Sequence, residues 1–331
     1  MNVFSFTVRR IMTMIPMLFL VSVVVFLLIQ LPPGDYVDTL VSQLRAQGTE
    51  VSASQIQNLK KRYGLGQPKY IQYFKWISGF PRGDFGTSFL YHGRQVLDVV
   101  KKYIGFTLLV AFSSQAFIML VGIPIGVYSA THQYSLGDNL VTVLGFIGLS
   151  IPNFLLALVL MFVAYFVLNI PTLGGLLSEQ YVNAPWSFAK VLNLLAHLWI
   201  PVVVLGTAGT AGTIRVMRGN LLDVLNLHYV NTARAKGLRE STVIWKHAVR
   251  NAIHPIIMGL GMRLPRLLSG ATIVSIVLSL PTLGPVLFQA LVSQDMYLAG
   301  SILLFQCVLL LVGNLLADLA LAYVDPRIRY G

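Results

Sequence analysis

Long runs without charged residues divide this chain. Such a run is long enough to cross a bilayer, since a membrane-spanning helix needs about 20 apolar residues. The shorter charge-free stretch 251–262 joins the fifth run if Arg263 and Arg266 lie inside one helix. The charge-free runs are 11–34, 103–137, 139–178, 191–214, 267–294 and 296–317. The pattern predicts an all-α membrane protein with six spans near 9–31, 104–131, 139–169, 198–214, 252–280 and 297–323.

The basic residues of the short connections predict the orientation. Residues 215–250 contain seven Lys or Arg against two acidic residues, whereas residues 281–296 contain no Lys or Arg. Cytoplasmic loops carry an excess of Lys and Arg. We therefore expect a cytoplasmic N-terminus (1–8), a cytoplasmic loop (215–251) and a cytoplasmic C-terminus (324–331). The flanking basic residues that support this are Arg9, Arg10, Arg327 and Arg329.

The first connection is much longer than the others. Residues 32–102 contain ten basic residues, yet an even number of spans places them outside. The charge rule weakens for loops beyond about 60 residues, so these charges do not reverse the orientation. The mixture of polar and aromatic residues predicts a folded extracytoplasmic region over 32–103. A second external loop, with Pro171 and Trp186, is expected over 170–190.

Composition supports the membrane assignment and excludes other classes. The 331 residues are 56% hydrophobic and 11% charged, whereas a soluble domain has about 25% charged residues. The net charge of +12 is spread between the apolar runs and forms no aromatic-interleaved stripe, which argues against a nucleic-acid partner. Cys307 is the only cysteine, so an intrachain disulfide is excluded, and the six histidines lack metal-binding spacing.

The segment Tyr229-Val-Asn-Thr-Ala-Arg-Ala-Lys-Gly-Leu238 is the first functional candidate. It predicts a short helix that ends near Gly237, because glycine is favoured just past a helix end. Ala233 and Gly237 are four residues apart, so they share a face of small residues that a partner's groove could approach closely. The pattern also fits a solvated loop whose charges only set the topology.

Motifs along nearly the whole chain resemble one family of importers. The segments Asn231–Gly237 and His247–Pro255 are similar to the coupling loop of binding-protein-dependent ABC importer permeases. The resemblance is to the dipeptide/oligopeptide/nickel branch, in its first-subunit (B-type) form. Each motif is weak alone, but their order and spacing are specific. Further matching motifs are Pro33-Gly-Asp35, Tyr63–Pro68, Arg82–Ser88, Ser150–Phe154, Ile170–Gly174, Asn314–Asp318 and Asp325–Arg329.

The resemblance implies a type I ABC importer permease with six transmembrane helices and a large first extracytoplasmic loop. Such a chain forms half of a pathway for peptides or related solutes in the cytoplasmic (inner) membrane of a prokaryote. Its implied partners are a second homologous permease, two ATPase subunits that bind ATP and Mg²⁺, and an extracytoplasmic substrate-binding protein. The chain itself is expected to bind no cofactor or metal. The implied coupling residues are Ala233, Arg234, Ala235, Lys236, Gly237 and Leu238.

The sequence departs from the family pattern at four positions, which leaves the solute open. Tyr36, Asn231, Ser275 and Thr282 stand where the family often has Pro, an acidic residue, Glu and Gly. Because relatives of this family also carry oligosaccharides and other solutes, a non-peptide solute is the alternative.

Arg263 and Arg266 are candidates for the translocation pathway. An arginine at the bilayer centre costs about 2.5–3.5 kcal/mol on insertion scales, so a pair inside the fifth span should face a wet interior. They are three residues apart and share a helix face, with Pro265 between them. Alternatively, the span begins near Leu267 and both arginines lie at the cytoplasmic interface.

Other transport and enzyme classes fit less well. A stand-alone secondary transporter or channel is the main competitor, but ion coupling usually needs carboxylates in the spans, and these are scarce. A membrane enzyme is disfavoured because the spans contain no nucleophile–base motif. No Gly-x-x-x-x-Gly-Lys-Ser/Thr loop is present in the sequence, so ATP hydrolysis would require partner chains.

Overall fold

The computed structural model describes residues 3–48, 51–170 and 174–324, without the side chains of residues 3–6, 62, 63, 261–270, 317 and 320–324. These described parts are helical apart from loops and one bridge, Thr87 to Gln95, which confirms the all-α prediction. The helices are α1 (Val3–Ile29), α2 (Tyr36–Ala46), α3 (Ala53–Tyr63), α4 (Lys69–Gly79), α5 (Val96–Thr131), α6 (Leu136–Ser150), α7 (Asn153–Phe166), α8 (Glu179–Val182), α9 (Phe188–Leu225), α10 (His228–Ala235), α11 (Glu240–Thr242), α12 (Val249–Ala252), α13 (His254–Val277), α14 (Leu283–Val292) and α15 (Met296–Val324). A 3₁₀ turn (Phe80–Arg82) follows α4, and a π-helical turn (Val243–Ala248) joins α11 to α12.

Four described helices are long and apolar enough to span a membrane: α1 from Thr7, α5, α9 and α15 to Leu316. A fifth span results if α6 and α7 are counted together, although the two helices meet at 108°. The span expected over 139–169 is therefore broken into two helices. Pro152 explains the break, because proline disfavours a helical conformation in the preceding residue, and Ile151 is indeed extended.

The fourth span is also longer than expected. The charge-free run suggested 198–214, whereas α9 contains 38 residues. Ser187 begins the helix by accepting a hydrogen bond from the Lys190 amide, and the helix continues beyond Arg215 and Arg218. A charge-free run marks the part of a helix that can lie in lipid, and it does not mark the helix ends.

The chain forms two compact units, and α5 and α15 contribute to both. The first comprises residues 108–281 and 312 onward. Here α5 and α9 run parallel in close contact, since a Cβ atom at Gly122 would lie 3.0 Å from Thr213 and one at Gly126 would lie 2.7 Å from Met217. Small residues permit such approach of membrane helices.

Helix α6 returns antiparallel to α9 in the same unit. A Cβ atom at Gly148 would lie 2.7 Å from Thr207, whereas at the start of α6 the Asp138 carboxylate pairs with Arg218 at 3.0 Å. The turn between α5 and α6 therefore lies at the C-terminal end of α9. Asn220 also donates to the Ala252 carbonyl at 3.4 Å, which brings α12 to this end. We call it the loop end of the first unit.

The second unit comprises residues 2–107 and 282–311. Helices α2, α3 and α4 of the expected extracytoplasmic region fold against α14 and the start of α15. The Trp76 indole donates to Ser301 at 3.4 Å, and the Tyr73 and Ser22 hydroxyls are 2.8 Å apart. Helices α2, α3 and α4 thus lie within the region 32–103, whose position outside the membrane stays a prediction.

Some of the sequence-based predictions concern residues outside the described parts of the chain. Arg327 and Arg329, with the C-terminal segment 325–331, lie outside them, and so does Pro171.

Candidate coupling surface

Helix α10 forms where the sequence predicted a coupling helix and ends at Ala235, close to Gly237 as predicted. Gly237 has φ +74°, a left-handed conformation that costs glycine little. The Gly237 amide donates to the Arg234 carbonyl at 2.9 Å, and the Leu238 amide donates to the Ala233 carbonyl at 3.4 Å. This pair of bonds is a Schellman motif, which satisfies carbonyls at the helix end.

The structure changes which face of α10 can meet a partner. Val230 and Ala233 are buried, Ala233 with 6% exposure, in a core formed with Met217, Leu221 and Val243. Gly237 lies beyond the helix end and is exposed, with open space where its Cβ would be. The small face proposed for Ala233 and Gly237 is therefore wrong. An i, i+3 pair of apolar residues anchors the helix inward, and the left-handed glycine turns the chain away from that face.

Tyr229 fixes α10 to the segment that follows it. Its hydroxyl donates to the His247 carbonyl at 3.5 Å and accepts a hydrogen bond from the Asn251 amide at 2.7 Å. His247 belongs to the π-helical turn, a rare element that is frequent at functional sites. Helix α10 and residues 240–252 therefore form one supported block at the loop end.

An ion pair closes the same block. The Arg234 guanidinium contacts Glu240 at 2.7 Å, and its Nε donates to both carboxylate oxygens at 3.2 Å. The hydrogen bonds from Arg234 lower the pKa of Glu240, and the same pair raises the pKa of Arg234. Because both side chains are exposed, we expect the pair to contribute less than about 1 kcal/mol. Its role is to hold the turn after Gly237 in one arrangement.

Several apolar side chains of the block are exposed, and so are several basic ones. Trp245 is 52% exposed and Leu238 is 41% exposed, and the neighbouring apolar side chains are similarly open. An exposed apolar patch with a polar rim is typical of a protein–protein contact. We define the coupling patch as the exposed apolar residues Leu227, Tyr229, Leu238 and Trp245 of this segment, in which Lys236, Arg239, Lys246 and Arg250 are exposed as well.

The expected coupling residues differ in exposure. Arg234, Ala235 and Lys236 are exposed together with Gly237 and Leu238, whereas Ala233 is buried. Sequence reasoning missed Leu227 and Trp245 as surface residues. The signal that was available is an apolar side chain in an otherwise polar, basic loop.

The pathway candidates Arg263 and Arg266 lie within α13, which runs without interruption from His254 to Val277. Pro255 occupies its first turn, where a proline is tolerated. The helix therefore begins well before Leu267. The side chains of both arginines lie outside the described residues, so their assignment to the pathway stays a prediction.

Two buried carboxylates were missed, although each is the single charge between two long apolar runs. Asp138 is 2% exposed and accepts hydrogen bonds from Arg218 at 3.0 and 3.2 Å and from Ser129. Asp295 is fully buried in the second unit. An isolated acidic residue between apolar runs thus marked a buried site in both cases.

Comparison with known proteins agrees with this architecture. Residues 122–330 match the family described as binding-protein-dependent transport system inner membrane component, and residues 3–111 match the corresponding N-terminal family. In one solved structure, of the MetNI methionine ABC transporter, a chain shares the fold with a TM-score of 0.53 at 16% identity, covering 69% of this chain and 97% of that one.

Curated relatives match over almost the full length. An oligopeptide transport system permease protein (AppB) of Bacillus subtilis is 34% identical over 98% of this chain and 99% of its own. A glutathione transport system permease protein (GsiC) of Escherichia coli is 31% identical over 98% of this chain and 99% of its own. The apolar spans, the coupling segment and these matches together show that the chain belongs to the inner-membrane components of binding-protein-dependent transport systems, the permeases of ABC importers.

Proposed function

We propose that this permease forms one half of a peptide pathway and that ATPase subunits drive it through the coupling patch. The observation that carries the proposal is the patch itself: apolar side chains are open on a block that is otherwise rigidly packed. Relatives named for oligopeptide, dipeptide and glutathione transport support a peptide solute. The chain contributes a pathway and mechanical coupling, and the partner ATPases supply the bond chemistry with ATP and Mg²⁺.

The proposed topology has six spans with both termini in the cytoplasm. Helix α13 supplies the sixth, since its 24 residues extend about 36 Å at 1.5 Å per residue. The loop end of the first unit carries the basic surplus of residues 215–250, so the charge rule makes it cytoplasmic. Residues 32–103 are then extracytoplasmic, where a substrate-binding protein delivers the solute.

The coupling step follows from the rigidity of the block. Helix α10 is tied to α9 through the core that contains Val230 and Met217, and to α12 through Tyr229 and Asn251. A displacement of α10 by closing ATPases therefore moves the C-terminal end of α9 as one body. With a second homologous permease, such movement opens the pathway alternately to each side. Arg263 and Arg266 of α13 are proposed to line it.

Substitution of the patch tests the proposal. In an importer purified with its partner subunits, Leu238→Ala and Trp245→Ala should each reduce the ATPase that co-purifies with the permease. Leu136→Ala is a matched control, because Leu136 is 90% exposed near the same end but lies outside the patch. Equal ATPase recovery from the parent and both patch variants, with unchanged peptide uptake, would refute the docking assignment.

A further inference from the structure

A narrow crevice in the first unit lies between the end of α5 and the facing sides of α6 and α9. Its volume is about 220 Å³. Phe146 and Leu149 provide apolar walls, whereas Ser129, Thr142 and Arg215 contribute polar groups. The crevice belongs to neither the coupling patch nor the α13 candidates.

The two arginines of the crevice have different surroundings. Arg218 forms two hydrogen bonds with Asp138, so its charge is neutralised. Arg215 is exposed, and its guanidinium carbon lies 5.3 Å from the centre of the Phe146 ring. No hydrogen bond or ion pair of Arg215 is found among the described residues. A guanidinium keeps its charge and offers five donors, so this group is suited to an oxyanion.

The position of Arg215 places that oxyanion near the membrane interface. Arg215 precedes Arg218 by three residues, or about 4.5 Å along α9, and so lies deeper than the ion pair at the loop end. The neighbouring surface of α6 is apolar and open: Val143, Leu144 and Phe146 are each more than half exposed. An unpaired cation directly beside an open apolar surface matches a phospholipid, whose phosphate adjoins its acyl chains.

We propose that this crevice binds one anionic phospholipid, with the phosphate at Arg215 and an acyl chain along Phe146 and Leu149. The assignment to the inner leaflet rests on the topology given under the proposed function. The lipid contact itself depends only on the crevice. A lipid held here would stabilise the packing of α6 on α9 next to the coupling block.

Native mass spectrometry of the importer purified with its partner subunits, with added phosphatidylglycerol or phosphatidylcholine, tests the proposal. The parent should retain phosphatidylglycerol in preference to phosphatidylcholine. Arg215→Gln should weaken that retention about fivefold, the effect expected for one basic residue near a charged membrane surface. Arg9→Gln is the control, since Arg9 is exposed near the start of α1, on the expected cytoplasmic side, but does not line the crevice.

Phe146→Leu provides a second variant that keeps every charge, and it should reduce phosphatidylglycerol retention because the ring under the guanidinium is lost. Equal retention by the parent, Arg215→Gln and Phe146→Leu would overturn the site. Equal losses in Arg215→Gln and Arg9→Gln would also overturn it, since they would indicate attraction by overall charge. Lipid retention is measured without transport, so failure of the peptide or coupling assignments would leave this result unaffected.

Discussion

The Ser88 hydroxyl donates a 2.6 Å hydrogen bond to the buried carboxylate of Asp295, 207 residues later in the chain. The same carboxylate accepts the Leu90 amide at 2.9 Å and the Leu298 amide at 3.1 Å. Burial raises the pKa of Asp295, and the bonds from Ser88 and the backbone amides oppose that rise. One side chain thereby joins the loop before α5 to the first turn of α15.

Asp295→Asn should loosen this loop. The asparagine NH₂ group would replace a carboxylate oxygen that accepts hydrogen bonds, so it would face N–H or O–H groups that can no longer be satisfied. An unsatisfied buried donor costs about 1–3 kcal/mol. Trypsin should therefore cleave after the exposed Arg94 faster in the purified variant than in the parent. Asp98→Asn changes an exposed carboxylate nearby and should leave cleavage unchanged. Equal cleavage of Asp295→Asn and the parent would show that the network does not hold the loop.

Substitutions of Gly237 test whether a partner protein closely contacts the turn after α10. Asparagine tolerates the left-handed conformation, so Gly237→Asn should preserve coupling between ATP hydrolysis and peptide uptake. Gly237→Trp adds a bulky ring to the exposed turn beside the coupling patch and should raise the ATP consumed per peptide imported more than Gly237→Ala, which adds backbone strain at φ +74° without the ring. Coupling in the tryptophan variant equal to that in the parent would contradict a close partner contact at this turn.

Exchanging the charges of Arg234 and Glu240 should restore the coupling that either single charge reversal reduces. Arg234→Glu and Glu240→Arg should each place like charges together and loosen the turn, raising the ATP consumed per solute about two- to fivefold, as fits an exposed pair worth under 1 kcal/mol. The double variant should recover much of the coupling. If the double variant is as poorly coupled as the single ones, the side chains act through a partner and not through each other.

The Arg234–Glu240 pair should stabilise the turn only over a defined pH range. Because the pKa of Glu240 is lowered below its ordinary value of 4.5, the pair stabilises the turn above that pH. The contribution is lost only as the pH falls through the lower folded-state pKa. Hydrogen exchange of residues 228–242 should therefore show the same difference between the parent and Arg234→Gln at pH 7 and pH 6. A difference that disappeared between these values would contradict the pairing.

Cysteine labelling tests the topology. Gln47 and Asn226 are both exposed and each follows a helix end, so a cysteine at either position should be reactive. In a Cys307→Ala background, an impermeant thiol reagent added to cells with a permeable outer layer should label Gln47→Cys and spare Asn226→Cys. The reverse pattern would invert the proposed orientation.

Arg263→Gln and Arg266→Gln test the pathway proposal for α13. If the arginines line the pathway, each variant should alter uptake of acidic relative to neutral peptides while the importer still assembles. Arg263→Lys and Arg266→Lys are the controls: lysine serves equally well as an interfacial charge but lacks the forked geometry for carboxylates. Parental uptake of every peptide by both glutamine variants would identify the arginines as interfacial anchors.

The sequence by itself determined the helical membrane class, the family and the position of helix α10. These depend on local signals: runs of apolar residues, the basic surplus of residues 215–250, and a glycine placed where α10 must end. The end of α10 could be predicted because a left-handed glycine terminates a helix regardless of what packs around it.

Only the tertiary structure decided which side of α10 faces outward, how far α9 extends and what neutralises the isolated carboxylates. Ala233 is buried because α9 and the π-helical turn pack against it, and residues 228–238 alone do not specify these partners. Asp138 meets Arg218 across 80 positions, and Asp295 meets Ser88 across 207. Hydropathy and periodicity describe one helix at a time, whereas burial and charge pairing depend on contacts between helices that are distant in sequence.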